Sequence, residues 1–192
     1  METETTTNTQ TQAMTSTRTT WAIDPAHSTV GFGVKHMMFT TVRGRFGDIR
    51  GTITLDEQRL ENSSVEVEIE VASIDTRDEK RDAHLRSPDF FDAEQFPTMT
   101  FRSTRVEPRR GDEARVTGDL TIHGVTREVT LDTTMTGRGT NPWGVDVIGF
   151  EASTRISRKD FGLEWNVALE SGGFLVGDEI KIELDIEAAK QS

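Results

Sequence analysis

Four histidines, at positions 27, 36, 84 and 123, are the side chains of this sequence best suited to hold a metal or move a proton near neutral pH. Their spacing matches no zinc signature: there is no His-x-x-x-His for a helix and no His-x-His for a strand. His36 shares parity with Val30, Phe32 and Val34 and is expected to face inward. An inward histidine is either a satisfied hydrogen-bonder of the core or the polar contact for something held in an apolar cavity. His27 falls in the turn sequence Asp24-Pro25-Ala26-His27-Ser28, where it makes a structural hydrogen bond or stands at a cavity rim. His84, beside Arg81 and Asp82, reads as part of a solvated helix face, and His123, before Gly124 and outward by parity, as a surface residue. No Gly-x-Ser-x-Gly elbow is present, and Gly31-x-Gly33 lacks a third glycine and lies inside a strand. Carboxylate neighbours such as Asp89 and Asp92 are expected by chance among 33 acidic residues. No enzyme motif and no cofactor-binding motif emerges.

The apolar residues outside the strands are more informative. Met37-Met38-Phe39 follows the His36 strand, and Pro88-Asp89-Phe90-Phe91-Asp92 with Phe96-Pro97 follows the helical stretch. Adaptable methionines and large phenylalanines in such places either cover an apolar cavity or cap an ordinary core. Arg43 and Arg45 alternate with Val42, Gly44 and Phe46, so as part of a strand they face solvent.

What must position these residues is a set of strands. Val65 to Val71 alternates apolar and acidic without a break, and Ile180 to Glu187 alternates apolar and charged, the period of a strand with one buried face. Further runs lie at Val30–Val34, Ile53–Leu55, Met99–Phe101, Val116–Ile122, Val129–Thr133 and Val145–Ile156, about eight strands in all. Gly124, between Ile122 and Val125, marks a hairpin turn. One short helix is expected over 77–86, opened by a capping box from Thr76 to Glu79 and stopped at Ser87-Pro88. The segment Phe161–Leu169 reads as helix or as irregular cover. Antiparallel strands in this number close as a barrel or stack as a sandwich, and periodicity does not separate the two.

Composition sets the outer limits. The chain has 192 residues, a net charge of −11 and no cysteine, so it suits one domain without disulfides, thiol nucleophile or thiolate zinc site. No window approaches the roughly 18 apolar residues of a membrane-spanning helix, and so no integral membrane segment is expected. The acidity speaks against nucleic acid and anionic lipid surfaces as partners. Residues 1–19, rich in Thr, Gln, Asn and Ser, read as a disordered tail. They lack the basic and apolar regions of a secretory signal, which points to the cytoplasm.

Taken in order, several stretches resemble the YceI-like family of polyisoprenoid-binding, lipocalin-like proteins. They are Trp21 to His36, with Asp24, His27 and Ser28; Ser73-Ile74-Asp75-Thr76; Arg81 to Asp92, with Phe96-Pro97; Gly118 to Thr126; and Gly149 through Gly162. The closing strand at 178–186 is similar too, so the resemblance spans a domain over 20–189. It implies an extended, all-β antiparallel barrel with a long apolar pore, binding a long-chain isoprenoid such as a polyprenyl phosphate or an isoprenoid quinone. No catalysis, metal or cofactor is implied, and a homodimer is. On this reading the pore lining, inward by parity, is Phe32, Val34, His36, Met38, Phe46, Val67, Ile69, Val71, Phe101, Leu120, Phe150, Ala152, Ile182 and Leu184. His27, Met37, Phe39, His84, Phe90 and Phe91 form its rim or cover. Two rival functions stand beside it: a metal binder or metal-dependent enzyme using His27, His36 and His84, and a stress-related module whose barrel is filled by its own side chains.

Overall fold

The computed structural model describes residues 18–192. Its strands are β1 (Arg18–Ile23), β2 (Thr29–His36), β3 (Thr40–Phe46), β4 (Ile49–Asp56), β5 (Ser64–Glu70), β6 (Ile74–Asp75), β7 (Thr98–Pro108), β8 (Glu113–Ile122), β9 (Val125–Thr140), β10 (Asp146–Ser157) and β11 (Val176–Lys190). The sheet is antiparallel and closes in the order β1-β4-β5-β7-β8-β9-β10-β11, with β11 paired back to β1. This is an eight-stranded barrel rather than a sandwich. Strands β2, β3 and β6 prolong β1, β4 and β5 past short breaks, so that β2 takes over from β1 along β11: Ile23 faces Ala188, and Thr29 faces Asp185.

That handover is fixed by side chains. Ser28 Oγ donates to the Glu187 carbonyl at 3.2 Å and accepts from the Glu187 amide at 3.1 Å, while Asp24 caps the turn by accepting from Ala26 N at 2.8 Å. The alternation of β5 and β11 is used as its period demands. Val65, Val67 and Ile69 turn to the barrel interior and Glu66 and Glu68 to the outside, where they meet Arg102 and Arg50.

Three expectations need correction. Most of the tail expected over 1–19 lies outside the described residues, but Arg18 and Thr19 already belong to β1, paired with Asp56 and Leu55. The helix α1 runs Glu79–Arg86, and its cap is Asp78, not Thr76. Asp78 accepts from Lys80 N and Arg81 N at 3.1 and 3.0 Å, while Thr76 is turned inward and buried. His123 is half-buried rather than a surface residue. It and Gly124 both have positive φ, 52° and 72°, the two-residue turn that suits a twisted hairpin, and this turn lays the imidazole edge-on against Phe96 at 4.7 Å. The segment after β10 is irregular cover: a 3-10 turn at Arg158–Phe161, then a loop to β11.

The β2–β3 hairpin is a strand pair that alternation understates. Gly44 takes an inward position of β3 because a Cβ there would collide with the ring of Phe32. Arg43 and Arg45 are exposed as expected, with Arg45 3.4 Å from Asp75.

Candidate functional site

The barrel encloses a cavity of about 520 Å³, inside the roughly 300–1,000 Å³ range of small-molecule sites. It runs from Ile122, Val129 and Phe161 at one end to Leu60, Glu113 and Arg138 at the other. Its walls are the inward positions of the strands, because alternation gives each strand one apolar face and closure turns all those faces to one axis. Phe32, Val34, Phe46, Val67, Ile69, Phe101, Leu120, Phe150, Ala152, Ile182 and Leu184 all line it. Leu85 of α1 and Phe90 and Phe91 after it close one end, together with Phe161 and Leu163.

Three expected lining residues are not in the wall. His36 is the last residue of β2 and faces Val176, which is the final wall position on that track. Beyond it Met37 and Met38 adopt left-handed φ values of 50° and 64° and turn the chain back, leaving Met38 66% exposed. Val71 is buried but outside the wall, because β5 ends at Glu70 and a 3-10 turn over Val71–Ser73 breaks the alternation. Of the expected rim, Phe90 and Phe91 line the cavity, whereas His27, Met37, Phe39 and His84 do not.

Two of the four histidines are held by local bonds to carboxylates. His27 Nδ1 lies 2.8 Å from Asp24 Oδ2 and 3.8 Å from Glu187 Oε1, on the outside of the barrel. The Asp24 hydrogen bond raises the His27 pKa above its ordinary value, helped by the charges of Asp24 and Glu187. His84 Nε2 is 2.8 Å from Asp89 Oδ2, and its ring packs edge-on against Phe90 and Trp165 at 5.1 and 4.7 Å. Among the described residues the only group of three with metal-ligand atoms close together is Asp24, His27 and Glu187, which neither His36 nor His84 joins. The three-histidine metal site is therefore not assembled.

Among the polar wall residues that parity does not single out are Arg158 and Thr133. Arg158 is buried in the covered end, and each of its three nitrogens is engaged: Nε to Gly177 O at 2.9 Å, Nη1 to Leu163 O and Trp165 O at 2.6 and 2.9 Å, and Nη2 to Asp178 Oδ1 at 3.3 Å. Desolvation lowers its pKa, with Asp178 opposing. Thr133 Oγ1 is buried with no hydrogen-bond partner. Both sit in or beside apolar runs, where a sequence pattern marks them only as interruptions. Wall residues from β9, Leu131 and Met135, were legible in the same parity as Val129.

The family model described as YceI-like domain matches residues 21–188. The chain belongs to the YceI-like family. A UPF0312 protein of Pseudomonas aeruginosa and protein YceI of Escherichia coli O157:H7 are each 38% identical over 165 residues, 86% of this chain and 83% of theirs. Among solved structures, Burkholderia cenocepacia BcnA superposes with a TM-score of 0.74 at 27% identity, covering 86% of this chain and 98% of that one. The Campylobacter jejuni YCEI protein gives 0.69 at 31% identity, covering 82% and 90%. A polyisoprenoid binding domain from Saccharophagus degradans shares the fold at a TM-score of 0.63 and 14% identity, covering 89% and 98%.

Proposed function

We propose that this barrel binds, and thereby carries or sequesters, a long isoprenoid lipid whose head group is uncharged, and that it performs no chemistry on it. The observation that carries this reading is the single apolar bore through the barrel, walled by aliphatic and aromatic side chains. An isoprenoid tail would gain about 0.8 kcal/mol for each CH₂ group taken out of water there. The polyisoprenoid binding named for the Saccharophagus degradans domain, which has the same fold, supports the same ligand class.

The head group follows from the charges. Both arginines in the wall are already engaged: Arg158 by three carbonyls and Asp178, and Arg138 by Glu57 at 3.0 Å. At the Arg138 end the remaining ionisable wall residues are the carboxylates Asp112 and Glu113. Within the wall itself, a phosphate at that end would meet the carboxylates of Glu57, Asp112 and Glu113 and one cation, Arg138, that is already paired. A quinone carbonyl or an alcohol carries no charge to be repelled there, and a rotamer change of Thr133 would offer it the buried, unpartnered hydroxyl. Of the two lipid types that the sequence suggests, this favours the isoprenoid quinone over the polyprenyl phosphate.

Native mass spectrometry of protein purified without detergent, with ubiquinone or a polyprenyl phosphate then added, tests this. The expected result is a stoichiometric quinone adduct and weaker uptake of the phosphate. Uptake of neither lipid would overturn the binding function, and preferred uptake of the phosphate would overturn the head-group assignment.

A further inference from the structure

Four of the most exposed large apolar side chains belong to two adjoining loops at the covered end of the barrel. Met38 (66% exposed) and Phe39 (80%) form the tip of the β2–β3 hairpin, and Val167 (45%) and Phe174 (56%) lie in the loop that leads into β11. The loops are joined through Met37 N, which donates to Leu175 O at 2.8 Å. The second loop is itself closed. Leu175 N donates to Val167 O at 2.9 Å, Ala168 bridges to Phe174, and Asn166 Oδ1 accepts from Val167 N and Val176 N. Phe39 N donates to His36 O across the hairpin turn, where Met37 and Met38 hold the left-handed conformation that side chains rarely adopt. The apolar tip is thus a hydrogen-bonded construction that holds its side chains out in water, against the usual burial of such residues.

We infer that this tip is a membrane-docking face, which seats the covered end of the barrel in the interfacial layer of a lipid bilayer. The inference rests on the lipid-binding reading above. The area favours a bilayer over a second copy of the chain. Taking about 200 Å² for an aromatic side chain, the four expose on the order of 500 Å², short of the roughly 800 Å² per partner of a stable protein interface. Loop tips that project singly suit insertion by about 5–10 Å into the headgroup and acyl boundary.

Charge decides which bilayer. The flanking side chains Lys35, Lys159, Glu164 and Glu170 are exposed and of mixed sign, and the chain as a whole carries −11. Docking is therefore driven by apolar burial, insensitive to salt on an uncharged bilayer and weakened by anionic lipid. The wall positions nearest the tip, Val34 and Val176, place the bore directly behind it.

Vesicle flotation tests the inference. The full chain is expected to float with phosphatidylcholine vesicles, to float less when phosphatidylserine is added, and to lose at least roughly tenfold in vesicle affinity in Phe39→Ser/Phe174→Ser. Phe39→Ser alone, at the most exposed of the four positions, should show a smaller loss in the same direction. Trp143→Ser, at the exposed turn of the β9–β10 hairpin, should leave flotation unchanged. Each variant is also loaded with ubiquinone in detergent and weighed by native mass spectrometry, so that loss of docking is read separately from loss of ligand. A wild type that holds quinone but does not float, or a double variant that floats equally well, would overturn the docking face. So would a halved native mass in the double variant, since a second copy would then be the occupant.

Discussion

Thr76 and Asp82 are joined twice in buried surroundings: Asp82 Oδ1 accepts from the Thr76 amide at 2.9 Å and from its hydroxyl at 2.5 Å. Arg81 closes the same knot, donating from Nε to Thr76 Oγ1 at 2.7 Å and from Nη2 to Thr76 O at 2.8 Å. The first turn of α1 is thereby fastened to the residue that follows β6, and Leu85, one turn on, is held in the cavity wall. Asp82→Ala strands two buried donors, each at about 1–3 kcal/mol, so a total loss of about 2–6 kcal/mol is expected in urea denaturation. Asp82→Asn keeps an acceptor oxygen and should lose less than half as much.

Arg158 does for the other half of the cover what Asp82 does for α1. One guanidinium gathers the carbonyls of Leu163, Trp165 and Gly177 with the Asp178 carboxylate, tying the irregular segment to β11. Arg158→Lys retains a charge but has neither the reach nor the planar fork to satisfy four acceptors. It should destabilise the protein by about 3 kcal/mol or more, and limited proteolysis should open the 163–175 loop first. Cleavage that begins elsewhere would deny Arg158 this role.

Legibility in the sequence tracked how each strand divides its two faces. β5 and β11 were plain because acids occupy one face and aliphatic residues the other, and the resemblance then chose the barrel over the sandwich. β3 was less legible because Gly44 yields its inward space to Phe32, so the strand shows no full apolar row. β1 was hidden by its threonines. Parity placed Phe32, Val67 and Leu184 in the wall and failed at His36, Met38 and Val71, since alternation holds only while the ladder does. Arg158 and Thr133 share the parity of the inward residues of β10 and β9, but alternation does not say that an apolar wall admits a polar side chain there; for Arg158 that depends on carbonyls brought from distant segments.

The exposed clasp of His27 and Asp24 has a defined pH range. The hydrogen bond to Asp24 raises the His27 pKa, so the histidine's contribution is complete below its ordinary 6.5 and fades as pH climbs through the higher folded value. The Asp24 pKa is lowered, chiefly by the same bond, so its contribution holds above 3.8 and is lost as pH falls through the folded value. The pair is intact across the mildly acidic range between these limits. Proton NMR should find His27 titrating above 6.5 in the wild type and closer to 6.5 in Asp24→Asn. A wild-type midpoint at or below 6.5 would falsify the pairing.

Ala152 offers the cleanest way to block the bore. It lies in the wall between Thr133 of β9 and Leu184 of β11, at the smallest side chain of that stretch. In Ala152→Trp the added ring has empty space to enter, so the usual penalty for overpacking a core does not arise. The variant should melt no lower than the wild type while its ubiquinone uptake falls by at least roughly tenfold. Undiminished uptake would mean that the lipid lies outside the barrel.

Thr133 separates the two parts of the ligand. Its buried hydroxyl lacks a partner, and such a group costs about 1–3 kcal/mol when left unmade. Thr133→Val keeps the shape and removes the orphan, so the empty protein should gain about 1 kcal/mol in stability. If the same hydroxyl receives the ligand's carbonyl, affinity for ubiquinone should drop by roughly fivefold. An isoprenoid hydrocarbon of equal length has no oxygen to lose and should bind the two proteins alike. Calorimetry with both ligands makes the comparison, and an equal change for quinone and hydrocarbon would remove Thr133 from head-group recognition.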